Sequence, residues 1–106
     1  MPLINTTLDT ATTEIYSSIG DTGVSVIYFC NTGGALTFNL YLVPSGGTAL
    51  PTNLVYNNVQ IAANDTYVMD TEKLILGDGD KIIAQASIAF ISGVCGVVAT
   101  VCWIGA

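Results

Sequence analysis

Histidine and arginine are absent from this chain, and lysine occurs only at Lys73 and Lys81, against eight acidic residues. Without histidine the chain lacks the side chain whose unperturbed pKa lies nearest neutrality, which excludes histidine-based triads and histidine metal sites. Two lysines cannot neutralise a run of phosphates, and a net charge of −6 repels nucleic acid, so no direct nucleic-acid binding is expected. Charge of either sign is scarce, at 9% of residues against about 25% in an average soluble domain. The cysteines Cys30, Cys95 and Cys102 are odd in number, form no C-x-x-C pair and have no histidine to complete a zinc set. They are expected to be buried free thiols. The alternative, an intersubunit disulfide or a reactive thiol, lacks a nearby cation to lower a pKa.

What is present is apolar: 51% of 106 residues are hydrophobic, and mean hydropathy is +0.62. A chain of this length forms one domain and buries enough surface for a single core. The start, Met1-Pro2-Leu3-Ile4-Asn5-Thr6-Thr7, has neither a basic segment nor an apolar run, so the product is expected to begin in a cytoplasm. Ile82 to Ala106 carries no charge and is long enough for a membrane helix. Gln85, Ser87, Ser92, Gly93, Gly96 and Thr100 interrupt it, its β-branched content is high and no basic anchor follows, so no membrane insertion is expected. Split at Ser92-Gly93 it gives two runs of strand length, Lys81 to Ile91 and Val94 to Ile104, expected to pair antiparallel.

Elsewhere β-branched and aromatic runs alternate with Gly, Pro, Asn and Asp clusters, and no helical period is sustained. The chain is predicted to be all-β, an antiparallel β-sandwich of jelly-roll or immunoglobulin-like type with about eight short strands. Predicted strands are Thr13–Ile19, Val24–Asn31, Leu36–Val43, Leu54–Ile61, Thr66–Met69, Lys73–Leu76, Asp80–Phe90 and Val94–Ile104. Residues 1–12 are expected to be an N-terminal arm outside the sheets, and residues 13–106 a single sandwich domain.

Leu36, Phe38, Leu40 and Leu42 share one face of a strand, with Thr37, Asn39, Tyr41 and Val43 on the other. The last two runs instead have two apolar faces. Ile82, Ala84, Ala86, Ile88 and Phe90 oppose Ile83, Ala89 and Ile91, while Val97, Ala99, Val101 and Trp103 oppose Val98, Cys102 and Ile104. One face packs on the other sheet and the second needs a further cover. A homo-oligomer is the simplest cover, with Ile83, Ile91, Val98, Cys102 and Ile104 as the self-association residues. The alternative cover is the N-terminal arm.

No catalytic, metal or cofactor site is expected. Asp78-Gly79-Asp80 places two carboxylates on a turn but lacks the twelve-residue calcium-loop pattern, which leaves a solvated hairpin. Asp70, Glu72 and Lys73 read as a solvated turn, since nothing fixes the carboxylate separation that glycoside hydrolysis needs. Tyr16, Tyr28, Tyr41, Tyr56, Tyr67 and Trp103 sit mostly inside strands and read as packing residues.

Four segments together resemble a family of small β-sandwich virion proteins of tailed bacteriophages. They are Val26 to Gly34, ending in Asn-Thr-Gly-Gly; Leu40 to Ala49, containing Val-Pro-Ser-Gly-Gly; Ala62 to Tyr67; and Leu76 to Ile82, containing Gly-Asp-Gly-Asp. The resemblance spans Ile15 to Trp103. Asparagine and glycine suit the positive φ of hairpins and proline ends a strand, so these motifs specify a scaffold more than a role. The resemblance implies a non-enzymatic virion structural protein, and the small, acidic, single-domain composition with extra apolar strand faces leans towards a capsid cement or decoration protein. Its partners would be further copies of itself, as a trimer, and the major capsid protein or another virion protein. The alternative is a tail fibre, knob or neck/baseplate module, with loop tips such as Pro44 to Pro51 carrying specificity.

Overall fold

The period-two alternation from Leu36 to Val43 becomes a strand with those bounds, and similar local patterns build the rest of a computed structural model that describes residues 3–69, 74–91 and 94–105. Its strands are β1 (Leu3–Thr7), β2 (Thr13–Ser17), β3 (Thr22–Asn31), β4 (Leu36–Val43), β5 (Leu54–Ile61), β6 (Thr66–Met69), β7 (Leu74–Leu76), β8 (Lys81–Ala86) and β9 (Val97–Gly105). A 3₁₀ turn, Pro51–Asn53, precedes β5. The described residues contain no α-helix.

Two antiparallel sheets pack as a sandwich. Sheet I runs β1-β9-β3-β6, with β7 also on β3, and sheet II runs β2-β8-β4-β5. β6 pairs with Ile27 to Cys30 and β7 with Thr22 to Val24, so the two are pieces of one edge strand. Counted so, the pairs nest: β1 with β9, β2 with β8, β3 with β6/β7, and β4 with β5. A long hairpin of paired strands folded over itself in this way is a jelly roll. An immunoglobulin sandwich would group its strands differently.

The core lies between the sheets. Val97, Ala99 and Val101 of β9 and Ile27 and Phe29 of β3 face Phe38 and Leu40 of β4 and Ile82 and Ala84 of β8, all essentially without solvent contact. Phe29 and Phe38 stack across the layer with ring centroids 4.2 Å apart. Burying each of these larger side chains contributes about 1.5 to 3 kcal/mol. Tyr41 and Val43 are buried although they stand outside the main core cluster: the connection leaving β4 turns back and sets Gly47 against Val43, and the Tyr41 hydroxyl donates to Gln85 Oε1 at 2.9 Å.

Three expectations are corrected. Residues 3–7 do not lie outside the sheets: they form β1, in register with β9 from Leu3 opposite Cys102 to Thr7 opposite Val98. The apolar edge of β9 would otherwise be unpaired, and Leu8, 1% exposed, anchors the segment in the core. The last two runs do not pair with one another. β8 lies in sheet II and β9 in sheet I, and among the described residues between them one bridge forms, Ile91 with Cys95. Both runs are buried on one face by the opposite sheet, a requirement that strands in different layers meet as well as a hairpin does. Finally, β8 stops at Ala86, where Ser87 turns to hydrogen-bond Thr37 and the chain crosses between layers. The charge-free C-terminal stretch is thus two strands and a connection, and no helix among the described residues is long and apolar enough to cross a membrane.

Candidate self-association surface

Alternation along β9 turns Val98, Thr100 and Cys102 outward, and register across sheet I extends each into a row. The first row is Thr7, Val98, Cys30 and Thr66, and the second is Asn5, Thr100, Tyr28 and Val68. The third is Leu3, Cys102 and Val26. Beyond a bulge between Val24 and Val26, Ile104, Gly23 and Ile75 make the fourth. Ile75 and Ile104 are among the most exposed large apolar side chains, at 84% and 65%. None of the described strands of this sheet contains a charged residue. The charges among the described residues lie elsewhere: Glu14 on β2, Asp9 and Asp65 in connections at one end, and Asp21, Asp78, Asp80 and Lys81 at the other.

The five residues expected to mediate self-association do not share one surface. Val98, Cys102 and Ile104 lie on this outer face. Ile83 is half-buried on the far side of the molecule, between Glu14 and Tyr41 in sheet II. Ile91 is exposed in the connection between β8 and β9, beyond the end of the strand that was expected to carry it. The N-terminal segment does not cover the face as the alternative required. It lies beside β9 in the same sheet and enlarges the face by Leu3, Asn5 and Thr7. Cys30 is also not buried: it is exposed in the first row, while Cys95 and Cys102 are half-buried, and all three thiols are free.

Sequence reasoning missed Leu3, Val26, Tyr28, Cys30, Val68 and Ile75. The available signal was the lack of charge from Leu3 to Leu8 and from Thr22 to Ala62, since an outward strand face on an acidic protein ordinarily carries some charge.

The motif residues hold the loops at the two ends. Asn31 is 1% exposed, and its amide nitrogen donates to the carbonyls of Gly34, Ile61 and Ala62 while its Oδ1 accepts from the Gly33 N–H. One side chain thereby ties the β3–β4 and β5–β6 connections together. Gly33 and Gly34 do not have positive φ, contrary to the expected reason for them. Gly33 is needed for space, since a Cβ there would lie 2.7 Å from the Cys95 Cα.

At the other end the two carboxylates of the Gly-Asp-Gly-Asp turn are used by backbone donors. Asp78 accepts from the Gly20 N–H, and Asp80 accepts from the Ser45 and Gly77 N–H groups at 3.0 and 2.9 Å. Among the described residues no cluster of three or more His, Cys, Asp or Glu side chains gathers. The Asp70, Glu72 and Lys73 turn lies outside the described residues. Of the aromatics, Tyr16 packs on Trp103 with centroids 4.5 Å apart, and Tyr56 and Tyr67 meet edge to face. Tyr28 alone among them stands out on the face of sheet I.

Comparisons with protein families, with curated proteins and with solved structures give no match.

Proposed function

We propose that this protein is a non-enzymatic structural protein of a tailed-phage particle, a cement or decoration protein that self-associates and reinforces the capsid shell. The observation that carries this reading is the uncharged, largely apolar outer face of sheet I on a chain whose net charge is −6. An acidic body keeps the protein soluble, while an uncharged sheet face is available for contact with protein surface. Loops tied down by Asn31, Asp78 and Asp80 suit a rigid plug more than an adaptable ligand site. Jelly rolls serve viral capsid and lectin domains, among others, so the fold is compatible with the role without selecting it.

Reinforcement would rest on repetition. A modest interface per copy, multiplied over a lattice, yields large avidity without any single strong contact. Particles assembled without the protein are expected to lose DNA at lower temperature than complete ones, and added purified protein is expected to restore the difference. Equal thermal release from both particles would refute the cement reading. Adsorption of the isolated protein to host cells would move it to the fibre class.

A further inference from the structure

We infer that a second copy of this chain docks on the outer face of sheet I, face to face, so that Val98, Thr100 and Tyr28 of the two copies lie at the centre of a two-fold interface. The inference rests on the self-associating reading above and names its surface and its partner.

Three observations select a second copy as occupant. The first is charge. With six net negative charges per chain, two copies approach most readily where their carboxylates are kept apart; the described strands of sheet I carry none, whereas sheet II carries Glu14 on β2. Stacking two such faces leaves Asp9, Asp65, Asp21, Asp78 and Asp80 on the perimeter, at the ends of the sandwich. A basic or acidic partner would find no complementary charge on this face.

The second observation is area. Four strand positions spaced about 4.8 Å apart, with a mean run of about eight residues rising about 3.3 Å each, give a plane of about 500 Å². Two copies then bury about 1,000 Å², the size a specific interface must reach and just short of the about 1,200 Å² at which standard-sized interfaces begin.

The third is hydrogen bonding. Thr100 Oγ1 already donates to Asn5 Oδ1 at 2.7 Å, and Ser25 Oγ to the Cys102 carbonyl at 3.1 Å. Covering the face therefore desolvates these two hydroxyls as groups that are already paired, which lowers the penalty at those positions. A face that meets its own copy gives an isologous two-fold contact, in place of the trimer expected from the sequence.

The test uses the full chain and two readouts. Native mass spectrometry at micromolar concentration is expected to give twice the 11.0 kDa chain mass. Thr100→Glu and Val68→Glu, each placing a carboxylate on the outward side of a strand, are expected to return it to 11.0 kDa with unchanged circular dichroism. Alkylation of Cys30, exposed in the single chain, is expected to be at least tenfold slower in the wild type than in either variant. A monomeric wild type overturns the inference. So does an oligomer whose mass survives both substitutions while Cys30 is alkylated at the same rate throughout, because the contact then lies elsewhere. A trimer overturns the two-fold pairing. A dimer found for a protein absent from phage particles sustains the interface and removes the virion reading, so the two can fail separately.

Discussion

At the residue scale, the loop-holding side chains are where single substitutions should matter most. Asn31→Ala removes three donated bonds and one accepted bond from a site 1% exposed, and an expected loss of about 2 to 4 kcal/mol should appear in urea denaturation. Asn31→Asp should cost at least as much at neutral pH, since a carboxylate would face three carbonyl oxygens. A smaller loss than for alanine would contradict the assigned amide orientation. The paired glycines that follow separate two causes. Gly33→Ala forces a Cβ against the Cys95 backbone and should destabilise by about 1 to 3 kcal/mol, whereas nothing stands within 4 Å of a Cβ at Gly34, and Gly34→Ala should stay within about 0.5 kcal/mol. The Asn-Thr-Gly-Gly motif was legible as a turn. Its physical reason was not, because the close approach comes from Cys95, sixty-two positions along the chain.

At the element scale, strands defined by local pattern were legible and their partners were not. Leu36–Val43, Leu54–Ile61 and Thr66–Met69 occur with the bounds their alternation and flanking turns dictate. β1 was hidden because Leu3-Ile4-Asn5-Thr6-Thr7 holds only two apolar residues and shows no period of two. Its place is decided by β9, a strand almost a full chain length away. Leu8, which follows it into the core, should cost about 2 to 5 kcal/mol when cut to alanine, measured by the same denaturation. Pairing also orders local stability. β9 and β3 have neighbours on both sides, so their amides should exchange most slowly, and those of the edge strand β1 should exchange faster. Uniform protection across sheet I would contradict that order.

At the scale of the whole molecule, the scarcity of charge already announced a hidden surface, and Val98, Cys102 and Ile104 were correctly placed on an outward face by the alternation of β9. Ile83 and Ile91 were assigned to the same role because both faces of their run are apolar. Only the division of β8 and β9 between two sheets separates them from that surface. The remainder of the face comes from β1, β3, β6 and β7, segments that meet only through long-range register. Single positions in these segments look unremarkable; together they form an uncharged sheet on an acidic jelly roll. The central claim, a many-copy reinforcing role on a phage shell, is tested most directly by quantitative mass spectrometry of purified particles, counting this protein against the major capsid protein. The account predicts copies in the hundreds per particle, and its absence from the particle would contradict it.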